Sequence, residues 1–231
     1  MLTVRPANAR GHIRFDWLDT HHSFSFGEYY DPAHMGFRAL RVINDDIIAG
    51  GGGFDMHPHR DMEIVTVILA GELAHRDSMG NAATIKAGEV QRMSAGTGVR
   101  HAEFNASKTD PVHLLQIWML PARKGDAPGY EQKAFDFGKH GLVRVASASG
   151  RDGAVTIHQD IELLRGTLLP GQPLRYDLAA ARHAWVQVIA GPVAVNGQKL
   201  EAGDGLAISE ETQLILTAQA EKGDFLLFDL A

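Results

Sequence analysis

The sequence of 231 residues predicts an all-β protein made of two β-barrels or β-sandwiches in tandem. Short runs that alternate apolar and polar residues are separated by glycine, proline, asparagine and aspartate along the whole chain, which is typical of strands joined by turns. No long stretch shows a helical period, so we expect few and short helices. A pattern of residues in the first half that recurs in the second half indicates that one kind of unit occurs twice.

Five runs are the clearest strand candidates: residues 39–43, 63–69, 112–120, 185–189 and 225–230. The run at 63–69 is largely apolar on both faces, which favours a strand buried between two sheets or inside a barrel. Turn-forming and charged residues at 121–129 indicate a linker. We therefore predict a domain boundary near residue 131, with an N-terminal domain at 1–131 and a C-terminal domain at 132–231.

The repeat has two parts. The segment Ile68-Leu-Ala-Gly71 recurs as Val188-Ile-Ala-Gly191, and Ala87-Gly88 recurs as Ala202-Gly203. In each copy the first glycine closes a strand and the second opens another after a hairpin, where glycine tolerates positive φ.

Composition restricts the classes of function. The formal net charge of −6 argues against non-specific binding of nucleic acid. The absence of cysteine excludes disulfides, zinc–thiolate sites and cysteine nucleophiles, so a metal would need histidine and carboxylate ligands. No apolar signal core or membrane-spanning run is found, and we expect a cytoplasmic monomer without a membrane partner.

Two short motifs predict a metal site in the N-terminal domain. His57-Pro58-His59 and His101-x-Glu103 each place two ligand side chains two residues apart, on the same face of a strand. Two such strands side by side would direct three imidazoles and a carboxylate at one point. This ligand set suits a first-row divalent ion with open coordination positions.

The repeat predicts that the second domain lacks this site. The positions in the second copy that correspond by offset to the four ligands are Asp177, Ala179, Leu216 and Ala218. Three of the four have no metal-binding side chain, so we expect the C-terminal domain to be degenerate and metal-free.

The two motifs resemble those of the cupin superfamily. Residues 51–71 read Gly-x5-His-x-His-x3-Glu-x7-Gly, and residues 88–105 read Gly-x7-Gly-x-Gly-x2-His-x3-Asn. Within cupins, the stretches MSAGTGVRHAE at 93–103, HPHR at 57–60, HSF at 22–24 and YDP at 30–32 are similar to pirins and pirin-like bacterial quercetinases. The resemblance implies a bicupin, two tandem jelly-roll-like domains of which only the first binds metal.

The resemblance also implies which residues act. Cupins in general use the glutamate of the first motif, here Glu63, whereas pirins use the glutamate that follows the last histidine. We therefore expect His57, His59, His101 and Glu103 to hold the metal, with Glu63 as a supporting or substrate-facing group. Fe(II) is the expected ion, and Cu, Ni, Zn, Mn or Co would also fit.

Pirin resemblance implies an oxidoreductase whose substrates are a flavonol such as quercetin and dioxygen, with release of carbon monoxide and a phenolic ester. Glu103 is then the expected catalytic base, since a carboxylate near the hydroxyl is suited to take its proton. Two other interpretations stay open. One is a metal- or redox-sensing regulator that binds a protein partner, and the other is a cupin isomerase or small-molecule binder.

Further residues near the motifs carry weaker expectations. His75 and Asp77 fall in a hairpin and should face solvent, and His113 is expected to be a hydrogen-bonded structural histidine. Phe54, Met56 and Phe104 either shape an apolar pocket mouth or point away from it.

Overall fold

The computed structural model describes residues 1–218 and 220–231, which contain twenty-two strands and two 3₁₀ turns but no α-helix. The all-β prediction is therefore confirmed. Within the same residues, no helix is long and apolar enough to cross a membrane.

The strands are, in chain order, β1 (Leu2–Arg5), β2 (Gly11–Arg14), β3 (Leu18–His22), β4 (Leu40–Ile48), β5 (Gly53–His59), β6 (Glu63–Ala70), β7 (Glu72–Asp77), β8 (Ala82–Lys86), β9 (Glu89–Ser94), β10 (Val99–Asn105), β11 (Val112–Met119), β12 (Gly129–Ala134), β13 (Gly141–Ser147), β14 (Val155–Thr156), β15 (Ile161–Leu168), β16 (Leu174–Asp177), β17 (His183–Ala190), β18 (Val193–Val195), β19 (Gln198–Leu200), β20 (Gly205–Ile208), β21 (Gln213–Thr217) and β22 (Gly223–Leu230). The 3₁₀ turns are Ala7–Ala9 and Arg151–Gly153. All five predicted strands are present, most of them extended by one or more residues.

The chain forms two compact units. The first to be described consists of residues 11–135 and 155–159 and contains two antiparallel sheets, in the orders β12-β9-β6-β11-β4-β3-β2 and β5-β10-β7-β8. The sheets form a jelly roll instead of one closed barrel. Buried apolar side chains from both sheets pack together, among them Ile68 of β6, Leu73 of β7 and Leu114 of β11.

A row of polar residues crosses the inner face of the larger sheet. Asn44, Gln116, Thr66 and Gln91 lie side by side in the register of β4, β11, β6 and β9, and three of the four are fully buried. Apolar side chains lie two positions before and after Thr66 on the same strand, so the row interrupts an otherwise apolar surface. Buried polar groups need partners, so this row indicates a site within the unit.

The other unit consists of residues 1–10, 136–154 and 160–231. Its larger sheet contains β1-β20-β17-β22-β15-β13, and its smaller sheet has the order β16-β21-β18-β19. The interior is an apolar core that includes Leu216 and Ala218, two of the positions that correspond to metal ligands in the other copy. Asp177, a third, has an exposed side chain paired with Arg175.

The division into units differs from a cut at residue 131. β1 pairs with β20, so the first ten residues belong with the C-terminal sequence. Residues 155–159 join the N-terminal sequence, and β14 contacts β12 and β9 there. Local sequence patterns carry no signal for either pairing, because the partners lie far apart along the chain.

The repeated glycines have matching conformations. Gly71 and Gly191 have φ of 76° and 69°, and Gly88 and Gly203 have φ of 88° and 85°. A Cβ atom at Gly71 would lie 2.8 Å from the Pro111 carbonyl oxygen. Both left-handed backbone and close approach therefore require glycine here, which explains why these residues carry the repeat.

Candidate metal centre

The two predicted motifs lie on neighbouring strands. β5 and β10 pair antiparallel with His101 opposite His57, and a bulge between His101 and Glu103 places Glu103 opposite Phe54. β5 is the edge strand of its sheet, so Pro58 can lie within it although proline donates no hydrogen bond.

Three imidazoles converge at this pair of strands. The nearest ligand nitrogens of His57, His59 and His101 all lie within 4.8 Å of one another. Glu103 extends the cluster, because its Oε1 atom lies 4.0 Å from Nδ1 of His101. Three nitrogen donors and one oxygen donor are thus gathered in one small volume.

Several atoms that could bind a metal are buried here and have no hydrogen-bond partner among the described residues. They are Nε2 of His59, both ring nitrogens of His101 and Oε1 of Glu103. Unsatisfied polar atoms that converge in this way would be stabilised by a bound cation. The residues present therefore fit a divalent metal.

The protonation states of His59 and His101 also suit metal binding. Burial lowers the pKa of His59 to about 4, and burial together with His57 and His59 lowers the pKa of His101 to about 2. Both imidazoles are neutral at pH 7, which is the form that binds metal ions.

A backbone carbonyl fixes the tautomer of His57. Its Nδ1 lies 2.7 Å from the Asp55 carbonyl oxygen, and since a carbonyl only accepts, Nδ1 carries the proton and donates. In the neutral imidazole, Nε2 of His57 therefore keeps its lone pair. Such an outer hydrogen bond is the usual way in which a metal-binding imidazole is oriented.

Glu103 is held by a chain of side chains on the larger sheet. Nε2 of Gln116 donates to Oε2 of Glu103 over 3.0 Å, and the Thr66 hydroxyl donates to Oε1 of Gln116 over 2.8 Å. Burial raises the pKa of Glu103 to about 7, against the opposing effect of the Gln116 bond, and the nearby carboxylate of Asp46 raises it further.

Glu63 points elsewhere. Its carboxylate accepts hydrogen bonds from the Ser94 hydroxyl at 2.8 Å and the His158 backbone N–H at 3.1 Å, and it is buried. The turn between β5 and β6 breaks the parity that the sequence suggests between Glu63 and the two histidines. Of the two glutamates, the structure brings Glu103 to the imidazoles.

The expectation that His75 and Asp77 face solvent is wrong. They are only 3% and 6% exposed, because β7 lies between β10 and β8. Nδ1 of His75 accepts from Nε2 of Gln91 at 2.9 Å, and its Nε2 donates to Asp77 at 3.2 Å. Both ring nitrogens are occupied, so His75 is not available as a ligand although it lies close to His101 and Glu103.

The imidazoles line a small cavity that adjoins a larger one. One of about 70 Å³ is lined by the four predicted ligands together with Gln116 and Trp118. The other, about 210 Å³, is mostly apolar and shares Phe26, Asn44, Asp46 and Phe54 with the first.

The sequence does not decide which side chains near the two motifs line the cavities, and the structure does. Phe54 lines both cavities, whereas Met56 and Phe104 are exposed and point away. His113 pairs with Asp45 on the outer face at 2.7 Å. Asn44 and Asp46 were missed, although two polar residues at alternate positions in the otherwise apolar inner face of β4 are a signal that could have found them.

Comparison with known proteins agrees with this architecture. Residues 3–119 match the family model described as pirin, and residues 144–230 match the model described as the quercetinase C-terminal cupin domain. The predicted bicupin arrangement, with one jelly-roll cupin in each half of the sequence, is thus confirmed.

Relatives are similar over the whole chain. The quercetin 2,3-dioxygenase of Escherichia coli K12 is 50% identical over 230 residues, which cover 100% of this chain and 99% of that protein. A pirin-like protein of Caulobacter vibrioides is 40% identical over all of both chains. The crystal structure of the bacterial pirin YhhW from E. coli in complex with nickel(II) has a TM-score of 0.96 and 49% identity, covering 100% of this chain and 99% of that one.

Proposed function

The chain belongs to the pirin family, and on that basis we propose that it is a metal-dependent dioxygenase of the quercetin 2,3-dioxygenase type. Its substrates are a flavonol and dioxygen. The relative that is 50% identical bears this activity as its name, and the sequence resemblance implies the same reaction, in which one O2 is consumed and carbon monoxide and a phenolic ester are formed.

One observation supports the proposal most strongly. His59, His101 and Glu103, which have ligand atoms without hydrogen-bond partners, line a small cavity that adjoins a larger, mostly apolar one. A planar aromatic ligand with an acidic hydroxyl needs both features, a cation for its oxygen and apolar walls for its rings.

The metal would be held by His57, His59, His101 and Glu103. Three neutral imidazoles and one carboxylate leave a divalent ion with a net charge of about +1, which favours an anionic oxygen ligand. The bound ion would supply Lewis acidity and, if it is Fe(II), redox chemistry toward dioxygen. We propose Fe(II) as the native metal; the bacterial pirin YhhW, 49% identical to this chain, forms a complex with nickel(II), which supports a site for a divalent ion.

The protein side chains would take a proton from the flavonol and keep water from its rings. Oε1 of Glu103 has no hydrogen-bond partner among the described residues, so this carboxylate is placed to take the proton of a flavonol hydroxyl beside the metal. Gln116 keeps the other oxygen in place. Phe26 and Phe54 line both cavities and would exclude water from the ring system.

The test is oxygen consumption coupled to loss of quercetin absorbance, with metal content measured on the same sample. We expect turnover by the metal-loaded protein and none by His59→Ala or by protein stripped with a chelator. An outer-face variant, Asp45→Asn, is the matched control and should retain activity. Full metal loading without turnover would contradict the dioxygenase proposal.

A further inference from the structure

The wall between the two cavities carries acceptor atoms that the protein leaves without partners. Oδ1 of Asn44 and Oδ1 of Asp46 are buried and make no hydrogen bond with any described residue, and both residues line both cavities. Buried acceptors without donors cost free energy, so a donor from outside the chain would stabilise these two atoms.

Packing does not explain these residues. On β4 the inward positions read Leu40, Val42, Asn44, Asp46 and Ile48, all buried. Asp46 lies opposite Thr20 of β3, so the polar side chains form a compact patch within an apolar face. Apolar residues of similar size would fill these positions at lower cost in the absence of a ligand.

Resting on the proposed function, we propose that Asn44 and Asp46 form a subsite that accepts hydrogen bonds from a second hydroxyl of the flavonol. Carbonyl and carboxylate oxygens accept, and a phenolic hydroxyl is a strong donor. A ligand whose acidic hydroxyl lies at the imidazoles must pass Asn44 and Asp46 to place its rings in the larger cavity, because both residues line both cavities.

The subsite would make the enzyme selective for polyhydroxylated flavonols. A flavonol with only the hydroxyl next to its carbonyl would bury Asn44 and Asp46 and leave them unsatisfied. A site that hydrogen-bonds a substrate hydroxyl rejects the analogue lacking it, because the protein groups then lose both water and ligand.

Equilibrium binding to metal-loaded protein under anaerobic conditions tests this selectivity without turnover. The probes are quercetin, which carries several hydroxyls, and 3-hydroxyflavone, which carries one. We expect the wild-type protein to bind quercetin at least about tenfold more tightly. Asp46→Leu and Asn44→Leu should each reduce the ratio of the affinity for quercetin to the affinity for 3-hydroxyflavone toward one, mainly by weakening the binding of quercetin. Asp45→Asn, on the outer face of the same strand, should leave the ratio unchanged.

Thermal unfolding separates recognition from a structural role. Removal of an unsatisfied buried acceptor should leave the melting temperature of the ligand-free protein unchanged or raise it. If a leucine variant does not fold, Asp46→Asn replaces it, because it keeps the shape of the side chain. It should lower the ratio by less than Asp46→Leu, since the amide oxygen still accepts but without the charge of the carboxylate. Equal affinity of the wild-type protein for both probes, or a ratio that survives the substitutions, would overturn the subsite alone. Failure of the wild-type protein to bind either flavonol would instead contradict the proposed function.

Discussion

Gln116 donates a 3.0 Å hydrogen bond from Nε2 to Oε2 of Glu103, and the two residues belong to different sheets of the same unit. The Thr66 hydroxyl donates to the amide oxygen of Gln116 and so fixes the orientation of the amide. Glu103 can therefore turn only its other oxygen, Oε1, toward His101. The carboxylate is positioned by the larger sheet while the imidazoles come from the smaller one.

Gln116→Leu should weaken metal binding, because Glu103 would lose the donor that orients it. Loss of such an outer contact typically lowers metal affinity by about 10–100-fold. Chelator competition with nickel(II) on purified protein measures the change. Thr66→Val removes the hydroxyl that orients Gln116 but leaves the amide in place, so its effect should be smaller. Equal affinity of Gln116→Leu and wild type would show that Glu103 needs no support or is not a ligand.

Substitution of Glu103 and of Glu63 should have different effects on metal binding and on stability. Glu103→Ala removes a proposed ligand, so the protein should lose most of its bound metal. Glu63→Ala should retain metal but lower the free energy of unfolding by about 1–3 kcal/mol, because it leaves the Ser94 hydroxyl and the His158 backbone N–H without their acceptor.

Metal analysis and urea unfolding on the same two preparations provide the measurement. Metal loss in Glu63→Ala with retention in Glu103→Ala would exchange the two assignments.

Alternation along a strand makes both the strands and the imidazole cluster predictable from the sequence. It fixes which side chains share a face, so His57 pairs with His59, and His101 with Glu103, by position alone. The supporting residues are not predictable in this way. Gln116 and Thr66 reach the site only through the strand order of the larger sheet, which local patterns do not encode.

Glu63 and His75 show the same limit from the opposite side. Parity along the chain would align Glu63 with the histidines, but the turn after β5 sends β6 into the other sheet. The sequence places His75 in solvent because hairpins usually lie at the surface, whereas its burial depends on β10 pairing beside it. Long-range pairing decides the environment in each case.

Stability of the metal-free protein should depend on pH through groups of opposite sign: His59 and His101, whose pKa values are lowered, and Asp46 and Glu103, whose pKa values are raised. The pKa of His59 is lowered from 6.5 to about 4, so between pH 7 and 5 the unfolded chain takes up a proton that the folded one does not, and stability falls on acidification. The pKa of Asp46 is raised by burial to about 7, so the folded state takes up the proton first and acidification stabilises it.

Urea unfolding at pH 5, 6 and 7 in the presence of a chelator measures both effects. His59→Gln should lose less stability than wild type from pH 7 to 5, and Asp46→Asn should lose more. Changes of the same sign in the two variants would contradict this assignment of protons.

Asp77 should prove to be a structural residue of the β7–β8 hairpin despite its position near the imidazoles. Its carboxylate accepts hydrogen bonds from the backbone N–H groups of Met79 and Asn81 at 2.9 and 3.0 Å, and from the Asn81 side chain at 2.8 Å. These bonds, together with the one from His75, hold its pKa below the usual range, although burial opposes them.

Asp77→Ala leaves these donors without an acceptor and should lower the free energy of unfolding by about 1–3 kcal/mol. Nickel affinity should change less than in Gln116→Leu, since Asp77 contacts none of the four proposed ligands through a side-chain hydrogen bond among the residues described. A large loss of metal with little loss of stability would instead place Asp77 and His75 in direct support of His101.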